Sequence, residues 1–139
     1  MAGHLTAMVV GGGIAGLASA VSLRQAGWEV AVLERAPAFG EVGAGLAITR
    51  NGMTALEAIG VGKAVRAVGH QTLTAGFQDP SGLWLLRIPE SPALRSTTTI
   101  WGVHRQRLHA ALRDAAEAEG AELVTGAEVT SVRPGASGG

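Results

Sequence analysis

The chain has 139 residues, 11 basic and 11 acidic side chains, and no cysteine. That length supports one domain with a real core and not two ordinary ones, and the balanced charge leaves no global field that would draw nucleic acid or an anionic membrane. The lack of cysteine excludes a disulfide framework, thiol catalysis and any cysteine-ligated metal.

In chain order, the apolar run from Leu5 to Val10 reads as a buried strand. It meets Gly11-Gly12-Gly13, after which Ile14, Leu17, Ala18 and Val21 recur as one face of a helix. Strand, G-x-G-x-x-G and helix therefore follow in the order a dinucleotide-binding turn requires. Gly11 permits the tight turn, Gly13 lets backbone approach a pyrophosphate, and Gly16 allows close packing of helix on sheet, while the amides that open the helix favour an anion. A second strand, Glu29 to Leu33, delivers Glu34 at its carboxyl end, 18 positions after Gly16, where a ribose-binding carboxylate belongs. The glycine spacing alone is weak in a chain with 21 glycines, and in isolation Glu34 could be a solvated strand-end acid. The sequence of strand, turn, helix, strand and acid is far more specific.

No basic segment precedes Leu5, and the glycines that interrupt the apolar stretch suit strand and helix better than a signal or a membrane span. Neither export nor membrane insertion is expected, and a cytoplasmic location is. Past Glu34 the segment Pro37 to Gly45 reads as loop, followed by a helix from about Asn51 with Met53, Leu56 and Ile59 on one face and Gly60 as its stop. A short helix follows over Lys63 to Val68. Thr72 to Phe77 and Leu83 to Ile88 flank Asp79-Pro80-Ser81-Gly82 and predict a hairpin. Pro89 to Thr99 reads as loop. An amphipathic helix is predicted from Arg105 to Glu119, with Leu108, Ala111, Leu112 and Ala115 inward and Gly120 ending it. Glu122 to Thr125 and Val129 to Val132 read as short strands, and residues 134–139 as a disordered tail. His4, His70, His104 and His109 show no paired metal spacing and read as surface or loop histidines, so no metal site is expected.

These residues carry a family resemblance. Val9-Val10-Gly11-Gly12-Gly13-Ile14-Ala15-Gly16-Leu17, with Leu23, Gly27, Val30 and Leu33-Glu34-Arg35, resembles the amino-terminal FAD-binding segment of the flavin-dependent aromatic hydroxylases, the single-component monooxygenases of the para-hydroxybenzoate and salicylate hydroxylase type. Two further blocks, Glu41-Val42-Gly43-Ala44-Gly45-Leu46 with Asn51-Gly52 and Val103-His104-Arg105-Gln106-Arg107-Leu108, extend the likeness from about Thr6 to Val132.

The resemblance implies an α/β fold, a Rossmann-like FAD-binding βαβ unit with a β-hairpin insertion and a sheet incomplete at its C-terminal end. Residues 1–133 would form a partial FAD-binding domain. It also implies how FAD would sit. Gly11, Gly13 and Gly16 would cradle the pyrophosphate, Glu34 would accept from the adenosine ribose, and Arg35 would lie beside that ribose. The loop around Gly45 to Ala47 would run along the flavin, Arg105 would lean toward the phosphate and ribitol, and Val129 would border the adenine. Taken alone, Arg105 reads as an exposed arginine in a first helical turn; its unfavourable place on the helix dipole together with the resemblance turns that reading toward a cofactor role.

The implied reaction is hydroxylation of an aromatic or similar apolar small molecule with NAD(P)H and O₂, the cofactor carrying the chemistry. Two alternatives are a non-hydroxylating FAD or NAD oxidoreductase and a non-catalytic remnant. Thr49-Arg50-Asn51 departs from relatives that have a proline before the asparagine, and Ala47 stands where pyridine-hydroxylating relatives carry a histidine, so no substrate-activating base is expected there. The later Asp-Gly and Gly-Asp motifs of the family are absent, and the chain is expected to be the first third of such an enzyme, inactive by itself.

Overall fold

The structure, a computed structural model, describes residues 5–40 and 43–133. His4, the Glu41-Val42 pair and the expected tail at 134–139 lie outside the described residues. The chain divides into two compact units, residues 1–41 with 112–139, and residues 42–111.

In the first unit, β1 (Thr6–Val10), α1 (Ile14–Gln25), β2 (Glu29–Glu34) and β8 (Glu122–Thr125) build a three-stranded sheet of order β1-β2-β8, parallel throughout. The β-branched residues of β2 face one side. Val30 and Val32 are buried there, together with Leu17, Ala20 and Val21 of α1 and Leu112 and Ala116 of α5 (Arg105–Ala118), which is the unit's apolar core. Burying one such aliphatic side chain contributes about 1.5–3 kcal/mol. The register pairs Ala7 with Val30 and Val9 with Val32, so the next residues along, Met8 and Val10, belong to the opposite face. Both are exposed, as is Leu5. A parallel sheet normally covers both faces, and among the described residues this one covers one face, which agrees with the expected incomplete sheet.

Helices α1, α2 (Arg50–Ala58) and α5 end alike. At Gly27, Gly60 and Gly120 the backbone turns to positive φ, and the two amides after each cap reach back to the last turn, as in Trp28 to Leu23 at 3.0 Å and Gly27 to Arg24 at 2.9 Å. The guanidinium of Arg24 then ties the ends of α1 and α5 together, donating from Nε to the Glu119 carbonyl at 2.7 Å and from Nη1 to the Trp28 carbonyl at 2.9 Å.

The second unit holds α2, α3 (Gly62–Val68), α4 (Pro92–Thr98) and an antiparallel sheet of β3 (Gly45–Thr49), β7 (Thr99–His104) and β4 (Gly69–Leu73), with β7 central. Its buried apolar side chains are Met53, Val61, Val65, Val103 and Leu108. A two-stranded hairpin, β5 (Gly76–Gln78) with β6 (Trp84–Arg87), is closed by Asp79, whose Oδ1 accepts the amides of Ser81 and Leu83, each at 2.9 Å.

Several sequence expectations are corrected. Gly45 to Ala47 is not loop but the start of β3, and β7 was not foreseen. The predicted strand Thr72 to Phe77 is divided: its first part pairs with β7 and its last with β6, because the chain changes partner at Thr74 and Ala75. Pro89 to Thr99 contains α4, capped by Ser91, whose Oγ accepts the Leu94 amide at 3.1 Å, with Pro92 in the first turn. Val129 to Val132 forms no strand, because none of the described residues pairs with it. On α5 the buried residues are Leu108, His109, Leu112 and Ala116, so the inward face is rotated from the expected one, and His109 is a core histidine at 4% exposure, not a surface one.

Candidate functional site: a cleft at the strand ends

The carboxyl ends of β1 and β2 and the segment after β8 enclose a cleft of about 280 Å³ lined by Val10, Gly11, Leu33, Glu34, Arg35, Ala127, Glu128 and Val129. In open α/β sheets this end of the strands is where ligands bind. The cleft is fixed by backbone. Gly11 donates to the Leu33 carbonyl at 2.8 Å, and the Ala127 and Gly126 amides reach the carbonyls of Glu34 and Ala36, each at 2.9 Å, carrying the chain past the end of β2.

Two glycines of the motif have distinct structural reasons. Gly11 has φ +98° with open space around it, so torsion alone demands glycine. At Gly16 a β-carbon would collide with the Gly11 carbonyl oxygen and stand 3.1 Å from its carbon, so glycine lets the helix sit on the turn. Gly13 is the N-cap of α1 at φ −77°, ψ −177°, with no side-chain cap among the described residues and no acid in the first turn. The amides of Ile14, Ala15 and Gly16 precede the first intrahelical bond, which runs from Leu17 to Gly13 at 3.0 Å. An anion fits such an opening, since among the described residues no side chain caps the amides of Ile14, Ala15 and Gly16 and the first turn holds no acid.

Glu34 is set by the same turn. Its Oε2 accepts the Gly12 amide at 2.7 Å and its Oε1 the Ala36 amide at 2.9 Å. These two bonds, Ala36 first, hold its pKa below the usual 4.5, aided by the charge of Arg35 and opposed by partial desolvation. The ionised carboxylate offers about four lone-pair sites, so the two side-chain bonds leave capacity for a pair of ribose hydroxyls. The donor set and the anion-ready helix start fit the adenosine and pyrophosphate half of a dinucleotide.

The structure thus brings Gly11, Glu34, Arg35 and Val129 together in one cleft, with Gly13 and Gly16 in the adjoining turn. Gly45, Ala47 and Arg105 belong to the second unit. There Gly45 pairs with His104 and Ala47 with Gly102. Arg105 opens α5, donating its amide to the Ala44 carbonyl at 3.3 Å, and its Cδ lies 3.3 Å from where a β-carbon at Gly43 would stand. Sequence reasoning missed Gly12 and Ala36, whose amides hold the Glu34 carboxylate, and Glu128, which lines the cleft. The only sequence signal for Gly12 is its place between two motif glycines. Among the described residues no group of three potential metal ligands is found.

A parallel βαβ unit with a glycine turn and a strand-end acid defines the dinucleotide-binding class of domain, and the comparisons with known proteins identify which. The chain belongs to the FAD binding domain family, which matches residues 4–138. It is 36% identical over 135 residues to aurachin C monooxygenase/isomerase of Stigmatella aurantiaca, covering 96% of this chain and 35% of that protein. It is likewise 36% identical over 119 residues to 3-hydroxybenzoate 6-hydroxylase of Polaromonas naphthalenivorans (strain CJ2), covering 84% of this chain and 30% of that one. Among solved structures, 2-methyl-3-hydroxypyridine-5-carboxylic acid oxygenase superposes with a TM-score of 0.82 at 27% identity, over 95% of this chain and 34% of that chain. The chain therefore spans about a third of the length of the relatives it matches.

Proposed function

We propose that the chain is the part of a flavin-dependent monooxygenase that holds the adenosine and pyrophosphate half of FAD, and that the whole enzyme hydroxylates an aromatic or similar apolar small molecule with NAD(P)H and O₂. The single observation that carries this reading is Glu34, ionised and oriented by two backbone amides at the mouth of the glycine turn. FAD, when bound, supplies the redox chemistry. The protein's own residues bind and orient it: Glu34 accepts from the adenosine ribose, Arg35 flanks that ribose, Val129 borders the adenine, and Gly11, Gly13 and Gly16 let the start of α1 meet the pyrophosphate. Gly45 and Ala47 on β3, and Arg105 at the head of α5, serve the flavin and ribitol side.

The names of the relatives, a hydroxybenzoate hydroxylase and a hydroxypyridine carboxylic acid oxygenase among them, support an aromatic substrate. NAD(P)H as reductant makes a cytoplasmic location part of the proposal. No helix among the described residues is long and apolar enough to cross a membrane.

Titrating FAD into the chain and following its fluorescence tests the binding claim. Gly13→Val should abolish binding while the helical signal persists, because φ −77° is open to any residue and the poorer N-cap costs the helix only about 1 kcal/mol. Unchanged affinity in that variant refutes the pyrophosphate assignment. Oxygen uptake by the chain with FAD, NADH or NADPH and phenolic acids tests the division of labour, and turnover at about 1 s⁻¹ or faster would show that the remaining length of the relatives is not needed.

A further inference from the structure

Of the consecutive glycines 11–13, the structure buries only Gly12. Its φ is not positive, so torsion does not require glycine there. What excludes a side chain is Phe39. Its ring occupies the space of a Gly12 β-carbon, with Cδ1 at 2.8 Å from that point, and the Glu34 β-carbon lies 3.2 Å away on another side. Phe39 belongs to the stretch after β2 that also carries Ala36, whose amide holds the second oxygen of Glu34. One short loop therefore reaches the carboxylate by an amide and the glycine turn by an aromatic ring.

We propose that Phe39 is a positioning residue for the adenosine-binding carboxylate: seated on Gly12, its ring clamps the loop to the glycine turn and keeps the Gly12 and Ala36 amides on the two oxygens of Glu34. The proposal rests on the reading of this cleft as the adenosine site of FAD. A carboxylate already fixed loses less freedom when the ribose arrives, and an apolar ring beside its hydrogen bonds limits competition from water. Arg35, beside Glu34, and Glu128, from the segment after β8, are the charged groups that share the cleft with it. Neither the glycine turn nor the first turn of α1 contributes one. Phe39 is uncharged, so any effect of it on Glu34 acts through the geometry of the amides.

The test compares wild type, Phe39→Ala, Phe39→Tyr, Gly12→Ala and the Gly12→Ala/Phe39→Ala double variant, each checked for folding by circular dichroism. The Glu34 carboxyl is titrated by ¹³C NMR without ligand, and FAD affinity is measured by fluorescence. Phe39→Ala should raise the Glu34 midpoint and weaken FAD by about threefold or more, with Phe39→Tyr restoring both. Gly12→Ala should cost about tenfold in the wild-type background and under about threefold once the ring is gone. An unmoved Glu34 midpoint in a folded Phe39→Ala chain, or an equal cost of Gly12→Ala in both backgrounds, overturns the proposal. If the Glu34 midpoint moves as stated but the wild-type chain binds no FAD, the coupling stands and the adenosine reading is what fails.

Discussion

The Glu34 carboxylate accepts the Gly12 amide at 2.7 Å across 22 residues of chain, so the acid at the end of β2 is bonded to the turn at the end of β1. The acid proposed to recognise the ribose and the turn proposed to meet the phosphates are thereby joined by one hydrogen bond. Replacing Glu34 by Ala removes the acceptors for two backbone amides and, in the proposed role, for the ribose. A hydrogen bond to a charged group contributes about 1.5–3 kcal/mol, so FAD affinity should fall about tenfold or more. A shift under about twofold by fluorescence titration would make Glu34 a bystander.

The same bonds predict a pH dependence. The folded-state pKa of Glu34 lies below its usual 4.5, so its contribution to stability is fully present above that value and is lost as pH falls through the lowered one. Asp79, half-buried on the hairpin turn, is shifted in the same direction from 3.8, chiefly by the Ser81 hydroxyl. Urea midpoints measured from neutral to acid pH should fall more steeply below pH 4.5 in wild type than in Glu34→Gln. Parallel curves would show that Glu34 contributes no such linkage.

The glycines of the turn should separate by mechanism. Gly16→Ala drives a β-carbon into the Gly11 carbonyl oxygen, which as backbone cannot rotate away, and should cost about 3 kcal/mol or more. Gly11→Ala meets open space but a positive φ, a strain of about 1–3 kcal/mol. Thermal melts of the two variants check the order, and a Gly16→Ala chain as stable as wild type would contradict the close approach of α1.

Arg105 stands in the first turn of α5, where a cation opposes the helix dipole by about 0.3–1 kcal/mol. Removing it relieves that term and loses the packing of its stem near Gly43, so Arg105→Ala should change the melting temperature little. If it faces the cofactor as proposed, FAD affinity should still drop about tenfold. A large loss of stability with unchanged affinity would make Arg105 structural.

What the sequence disclosed and what it hid divide along a physical line. The glycine turn, Glu34 and the helix stops at Gly60 and Gly120 were readable because each is a local requirement of backbone geometry or strand order. Strands β3 and β7 were not, since their pairing joins distant segments and Gly45 reads locally as loop. The cap of α4 was present as Ser91-Pro92, but the helix buries nothing and so offers no apolar period. The contact of Phe39 with Gly12 joins a loop to a turn and leaves no periodic trace at all.

The central claim, that the cleft beside Glu34 receives the adenosine and pyrophosphate half of FAD, is tested most directly by mapping amide chemical shifts as ADP or flavin mononucleotide is added to the chain. The account predicts that ADP shifts the amides of the glycine turn, of Glu34 to Ala36 and of Ala127 to Val129, that flavin mononucleotide leaves the last two segments unmoved, and that Glu34→Gln suppresses the ADP effect. Shifts from ADP confined to other parts of the chain, or an undiminished response in Glu34→Gln, would contradict it.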